Sequence, residues 1–565
     1  MKLKVFSILA LAATIALSGC SANNTGSGTE PTNSANTGSS ATPDASAEPV
    51  NVNWFATAGF WNPPQWNAES GTVMGGITEK TGLTFSYNIP AQDGDTKLNL
   101  MMVSTTDSFP DIITTVGPDM GKKLVEAGKV WQLEEFLKQY DPESHLLKDF
   151  PEDVKEQLVK RDGDWYAIPS HMGGDDARKV YPYADTYFED VAKYSENKGV
   201  LVNSNILKEA GIALTDLKTE DDVLAALKKV QDMKLVVDGQ PVIPLQIHGK
   251  NYHGETLQFL QRSFGAMPID KDGKFRNILL APEHKHAIQF LFKAAQGGYF
   301  DAGQMTTDNA AIEANLLSKR VFMFIGNTAQ GKFDQLDFWV SPGPILSNEG
   351  TKPVFPKGSE PGAGWMQTYI SKSTKQPEKL AKWLSFMTST EGMTLNNFGI
   401  EGVHFTKDDK GLFIRTEKGI QDQKDSAKTG LDIFWQFANM AFVENVQPAP
   451  TKREGAGGLI QMEAQTAYGR SPEVVRYDQS VLALPGDFFA AGSKNAQIRD
   501  QIQQYMEAQV AKMVLAKDEA AFNKLYDEFV AMLKQLKVDE LDAALDVELQ
   551  KKSQEMGVTV KGINS

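Results

Sequence analysis

Asn51-Val52-Asn53-Trp54-Phe55-Ala56 and Leu83-Thr84-Phe85-Ser86-Tyr87-Asn88-Ile89-Pro90 alternate apolar and polar residues, and between them the period changes. Both segments carry the β-branched and aromatic residues that suit a pleated, half-buried surface, so both read as strands. Residues 68–81 between them form a helix that stops near Gly82, and the Phe60–Trp66 stretch is the loop after the first strand. From Asp95 onward Leu98, Met101 and Met102 fall at helical spacing, and Phe109-Pro110-Asp111-Ile112-Ile113 turns into a buried strand. Strand, helix, strand, helix and strand in succession predict an α/β fold with largely parallel sheets.

The size of the chain extends that reading. It has 565 residues, 41% of them hydrophobic and 9% aromatic. Because single cores stop growing at ~250–300 residues, the body beyond residue 49 is expected to divide into two lobes. The formal charge of −15 becomes −17 when residues 1–19, which hold Lys2 and Lys4 and no acid, are removed. Such a balance speaks against a nucleic-acid partner, which needs clustered Lys and Arg. Beyond the N-terminal segment there is no apolar run of ~20 residues, the length a membrane span requires.

At the N-terminus, Lys2 and Lys4 precede an apolar run from Val5 to Leu17, too short to span a bilayer. The run ends in Leu17-Ser18-Gly19-Cys20, and Cys20 is the only cysteine in the chain. This pattern resembles the lipobox of bacterial lipoproteins, in which the cysteine becomes the mature N-terminus and its thiol carries a diacylglyceryl group. The plainer alternative is an ordinary signal peptide that happens to end in a cysteine. Residues 1–19 are accordingly expected to be a lipoprotein signal peptide. Residues 20–49, rich in Ser, Asn, Thr, Gly, Pro and Ala, are expected to be a lipidated cysteine followed by a disordered tether. Thirty such residues reach roughly 30 Å, enough to hold a folded body close to an outer membrane face.

Several further phrases carry a family resemblance. Thr81-Gly82-Leu83-Thr84-Phe85, Phe109-Pro110-Asp111-Ile112-Ile113 and Arg161-Asp162-Gly163-Asp164-Trp165-Tyr166-Ala167-Ile168-Pro169 come first. They are followed by Gly199-Val200-Leu201-Val202-Asn203, by Val321-Phe322-Met323-Phe324-Ile325-Gly326-Asn327, and by Gly399-Ile400-Glu401-Gly402-Val403-His404. In this order they resemble the family 1 extracellular solute-binding proteins, the receptors of ABC importers. The resemblance implies a two-lobed, periplasmic-binding-protein-like fold of type II, with interleaved lobes and extra C-terminal helices. It places residues 50–169 and 327–390 in one lobe and 170–326 and 391–500 in the other, with crossings near 169–200, 326 and 390. Residues 501–565 are expected to be C-terminal helices packed on the lobes, among them an amphipathic helix through Phe522, Leu525, Tyr526, Phe529, Val530, Leu533 and Leu536.

What the resemblance implies for function is capture of an oligosaccharide or other carbohydrate in the interlobe cleft by hinge closure, and delivery to the permease subunits. The expected protein is a monomeric receptor, lipid-anchored on the extracellular side of the cell membrane, with no bond chemistry and no cofactor. Two other classes stay open: a cell-surface carbohydrate-active enzyme, and a receptor for a non-sugar solute such as a peptide. An enzyme of the first kind would need paired carboxylates, but no Gly-x-Ser-x-Gly, His-Glu-x-x-His or P-loop motif occurs.

A sugar cleft needs aromatic faces for the C–H surfaces of the rings and planar polar groups for the hydroxyls. Among nine tryptophans, Trp61, Trp66, Trp165, Trp365 and Trp435 fall where loops leave strands, and Tyr166 adjoins Trp165; these are the candidate platforms. Asp185, Tyr187 and Asn327 are the candidate polar partners, each equally readable as a surface loop or a helix cap. Trp383 and Trp339 read as core, and Trp131 resembles a family packing position.

Metal chemistry is not expected. Many related lipoproteins carry an acid-rich loop resembling a calcium site, but here the corresponding run, Lys234 to Leu245, keeps only Asp238 as a hard oxygen ligand. His284 and His286 are two apart on a predicted helix, point to different faces, and read as part of a solvated surface.

Overall fold

The computed structural model describes residues 48–91, 93–104, 109–333, 335–357, 364–450, 457–485, 488–490 and 492–565. The predicted leader, Cys20 and all but the end of the tether lie outside the described residues.

Two sheets organise residues 49–565. The first has five strands in the order Leu83–Asn88, Val50–Ala56, Ile112–Val116, Met366–Ile370 and Ile168–Pro169. Its first three strands are parallel, and Met366–Ile370 runs antiparallel between Ile112–Val116 and Ile168–Pro169. The second sheet has the order Trp339–Val340, Lys198–Asn203, Val321–Asn327 and Ile243–Ile247, the last two parallel. The helix Val73–Thr81 joins the first two strands, and it ends where Gly82 takes the left-handed conformation at φ 65°. A residue with a Cβ is disfavoured there, which is why the periodicity breaks at that glycine.

Each sheet anchors a core of its own. Around the first, Trp54 packs edge-on to Trp383 with ring centroids 5.4 Å apart and stacks on Phe434 at 6.0 Å. Trp383 and Trp339 are both core residues, as their spacing suggests. Around the second, Phe259, Phe264, Phe290 and Phe322 are buried with Phe522, Phe529 and Leu533 of the C-terminal helices. The helices Lys494–Val514, Glu519–Gln535 and Val538–Met556 therefore pack on the second lobe. Asp518 caps Glu519–Gln535 by accepting from the Ala521 amide at 2.7 Å.

The first crossing runs from Pro169 to Lys198, within the expected stretch, but the other two fall at other places than the family pattern suggests. After Val321–Asn327 the chain stays on the second sheet through Trp339–Val340 and regains the first only at Met366. Leu431, Ile433, Phe434 and Phe437 belong to the first core, so the chain leaves that lobe for the last time after the helix Met440–Val446. The next helix, Gly457–Arg470, lies against Thr186–Tyr194 and Lys198–Asn203. Short apolar segments read alike on either lobe, and only their packing partners assign them.

The histidine pair also departs from expectation. His284 and His286 lie on the helix Pro282–Gln296, and both are buried. His284 Nδ1 lies 2.7 Å from Gln261 Nε2, and His286 Nε2 lies 2.5 Å from Glu220 Oε1. The C-terminal helices cover the side that carries His284, with the Phe529 ring 6.3 Å away, and the Phe264 ring, 4.7 Å from that of His286, covers the other.

Candidate functional site

In open α/β sheets the backbone groups and loops at the carboxyl ends of parallel strands are free to meet a ligand. On the first sheet that edge is formed by Thr57–Trp61, Gly117, Gly364–Trp365 and Ser170–His171. The pieces are bound to one another: the Thr57 amide donates to Thr114 O at 3.0 Å, and the Val116 amide to Thr57 Oγ1 at 3.1 Å. The Gly117 amide donates to Trp365 O at 3.0 Å.

A tight turn here separates two adjacent aromatic residues. The Trp61 amide donates back to Ala58 O at 2.9 Å, which turns Phe60 outward and Trp61 inward. Phe60 is 51% exposed and Trp61 only 1%. Phe60 stacks on Trp365, which is 40% exposed, with centroids 5.8 Å apart and planes 28° apart. Two large apolar rings left in water side by side form a platform of the kind a sugar face covers.

His171 completes this edge. The Trp365 indole N–H donates to His171 Nδ1 at 3.0 Å. Burial pushes the imidazole down to about 4, so it is neutral at pH 7. With Nδ1 accepting, the proton sits on Nε2, which is left as a donor. His171 also has φ 51°, unusual for a residue with a Cβ, and such outliers gather at functional sites.

The corresponding edge of the second sheet is polar. His248 and Asn327 end its parallel strands, and Lys198, opposite Asn327 in the register, begins the antiparallel one. The Asn327 amide donates to His248 Nδ1 at 3.2 Å, and burial pushes His248 down to about 4. Glu255 lies beside them on the π-helical turn His253–Leu257, a helix type frequent at functional sites. Burial raises its carboxyl against the opposing effects of Lys198 and the Asn327 side chain, and its buried Oε2 has no hydrogen-bond partner among the described residues. Glu196 pairs with both Arg262 and Lys198. The segment 170–197 runs from the first edge, at Ser170, to the second, at Lys198.

Of the sequence-derived candidates, Trp365 and Asn327 stand on these two edges. Trp61 and Trp165 are core residues whose indole N–H groups donate to Ile433 O and Ala167 O. Trp66 is half-buried against Phe85 and Phe434 and donates to Thr78 Oγ1. Trp435 donates to Asp432 O, and Tyr166 is partly buried against the cluster that contains Tyr369 and Val130. Asp185 caps the crossing helix Thr186–Tyr194 by accepting from the Tyr187 amide at 2.7 Å, and the Tyr187 ring lies edge-on to Phe188. Phe60, His171, His248 and Glu255 were not singled out from the sequence. Phe60 sat in the right loop, but nothing local marked it as the outward member of the Phe60–Trp61 pair.

Among the described residues no cluster of three His, Cys, Asp or Glu side chains is arranged to hold a metal ion. In the loop where a calcium site was considered, Asp238 and Gly239 both have positive φ and close the hairpin Val236–Val237/Gln240–Pro241.

No curated protein sequence matches the chain. Among solved structures it is similar to the ABC-transporter substrate-binding protein FusA of S. pneumoniae, solved in complex with kestose. The TM-score is 0.62 at 16% identity, over 90% of this chain and 99% of that one. It is similar as well to an HMO-binding, ABC-transporter-associated solute-binding protein from Bifidobacterium longum infantis, with a TM-score of 0.58 at 14% identity, covering 89% and 98%. A third similar structure is the alginate-binding protein AlgQ2, with a TM-score of 0.58 at 15% identity, covering 90% and 99%. These likenesses show a shared two-lobed fold. The model of the bacterial extracellular solute-binding proteins matches residues 72–394, more than half of the sequence and parts of both sheets, and the chain belongs to that family.

Proposed function

We propose that this protein captures an oligosaccharide between its two lobes and delivers it to the permease of an ABC importer. The observation that carries the reading is the exposed Phe60–Trp365 stack on one edge, with the polar group of His248, Glu255 and Asn327 on the edge to which the crossing segment leads. A sugar ring presents an apolar C–H face and a hydroxyl rim, and these two edges offer one surface for each. Binding and release would suffice for this role, and no residue is assigned to bond breaking. The solved neighbours that carry kestose, HMO or alginate in their descriptions support a carbohydrate over a peptide. In this reading Cys20 carries the lipid, and the tether holds the receptor at the outer face of the membrane.

A thermal-shift screen of residues 49–565 against plant and microbial oligosaccharides tests the proposal. A ligand at a hundred times its dissociation constant stabilises the folded state by about 2.7 kcal/mol. A reproducible rise in Tm with the sugar recovered intact is the expected result. Cleaved products would replace the receptor with an enzyme, and a response only to peptides would move the ligand class.

A further inference from the structure

An oligosaccharide is either neutral or carries carboxylates or sulfates, and the charges on the two edges discriminate between these classes. On the second edge the cations are already neutralised. Glu196 pairs with Arg262 and, at 3.7 Å, with Lys198, and the same carboxylate accepts from the Lys198 amide at 3.2 Å. All three side chains are largely buried, so their charges are settled within the protein. His248, which burial holds neutral, adds no charge, and Lys250, two residues further on, is exposed to water, where its charge is screened. Glu255 is left over. No cation pairs with it among the described residues, and Lys198 and Arg262 act on it only from a distance. With Oε2 buried and unpartnered among the described residues, little water or counter-charge screens this carboxyl. The first edge has the same sign. The Thr57 hydroxyl, which accepts from the Val116 amide, donates to the Asp95 carboxylate, and Asp93 and Asp119 lie close enough to be felt there, with Lys123 opposing them. His171 is neutral on that edge as well.

We infer that the ligand of these edges is a neutral, hydroxyl-rich oligosaccharide, and that Glu255 is the specificity-determining residue that turns away uronates and sulfated sugars. This rests on the proposed function, in that both edges are taken to meet the ligand. A sugar hydroxyl donates to a carboxylate and gains a charge-assisted hydrogen bond. A ligand carboxylate or sulfate brings only acceptors and a like charge into a place from which water is displaced, so the repulsion acts at low dielectric. An arginine or lysine free to pair with the ligand would reverse the preference, and Glu196 withholds both Arg262 and Lys198 from that task.

The test uses the mature chain carrying Cys20→Ser and matched tetrasaccharides that differ only in whether each sugar bears a hydroxymethyl group or a carboxylate: manno against mannurono, gluco against glucurono, galacto against galacturono. Fructo- and xylo-oligosaccharides extend the neutral set, and sulfated oligosaccharides the acidic one. Calorimetry at low salt and about pH 8, well above the ordinary carboxylate range, is expected to show at least one neutral sugar bound and no acidic sugar within about a hundredfold of it. Glu255→Gln keeps the shape and removes the charge. It should weaken the neutral sugar about tenfold and cut the discrimination to about tenfold or less. Glu196→Gln, which releases Lys198 and Arg262, should strengthen an acidic sugar. Urea midpoints check the folding of both variants, and the comparison on the unsubstituted site needs neither of them. An acidic sugar bound as tightly as any neutral one, or a discrimination unchanged in both folded variants, would overturn the inference while leaving a carbohydrate receptor. If no sugar of either class binds, the carbohydrate reading itself fails and the inference falls with it.

Discussion

The indole N–H of Trp365 donates to Nδ1 of His171 across 3.0 Å, joining a residue that immediately precedes a strand of the first sheet to one that follows another. The two are 194 positions apart in sequence. Since Trp365 is 40% exposed, its ring is not needed to fill the core. Trp365→Ala is therefore expected to leave the urea midpoint nearly unchanged while weakening oligosaccharide binding by about 2 kcal/mol, the scale of an aromatic hot spot. Titration calorimetry beside urea unfolding separates the two effects.

Phe60 and Trp61 provide the matching contrast between neighbours. Trp61 lies among Trp54, Tyr87 and Phe434, so Trp61→Ala opens a cavity and should cost about 3–5 kcal/mol of stability. Phe60→Ala removes an exposed ring and should stay within about 0.5 kcal/mol. A binding defect without a folding defect in Phe60→Ala, and the reverse in Trp61→Ala, is the expected pair of results by calorimetry and chemical denaturation.

The buried histidines predict acid lability. Burial holds His171 and His248 at about 4 and His284 at about 3, whereas in the unfolded chain each titrates at ~6.5. Between those values the unfolded state binds more protons, so the stability these groups allow is present above pH ~6.5 and falls as pH drops toward 4. Each group whose folded value is depressed in this way adds a slope of about 1.4 kcal/mol per pH unit within that window. His286 acts in the opposite sense: Glu220 and Glu349 raise it against the lowering effect of burial, so its contribution is complete below pH ~6.5 and is lost as pH rises through its folded value. Burial lowers His253 and His404 as well, so melting curves from pH 7 to 4 should show a net fall in Tm, because five depressed imidazoles oppose one raised one.

Glu220 is the partner most exposed to that argument. It is buried, receives the Asn348 amide at 3.0 Å, and faces His286. Glu220→Ala leaves an imidazole and an amide without their acceptor, and should cost about 3 kcal/mol, the lower range for breaking a buried pair. Urea unfolding at pH 6 and at pH 8 measures it, and the loss should be larger at pH 6, where His286 is protonated.

The anchor is tested on Cys20. Cys20→Ala in the full chain should move the receptor from the membrane fraction to the medium or soluble fraction, since no helix among the described residues is long and apolar enough to cross a membrane. Retention of the variant in the membrane would remove the lipid from the reading.

Much of the architecture was legible in the chain because it is written in local chemistry. The alternation in Asn51–Ala56 and Leu83–Asn88, the stop at Gly82 and the three-four repeat from Phe522 to Leu533 each depend on neighbours within one or two turns, and each produced the element it implies. Local spacing did not show which face of an element would be covered. His284 and His286 read as solvated, yet a helix more than 200 residues later covers His284, Phe264 and Glu220 enclose His286, and Trp61 and Phe60 differ only in which way one turn points them. The candidate edges belong to the same class of fact. Trp365 meets His171, and Lys198 meets Asn327, because two sheets built from interleaved segments bring their strand ends into register. By itself the sequence determined the strands, the helices and the α/β class, since those follow from short-range sterics and hydrophobic period. Only the tertiary structure decided which aromatic rings stay in water and which polar groups stand beside them, since burial is a property of what packs from elsewhere in the chain.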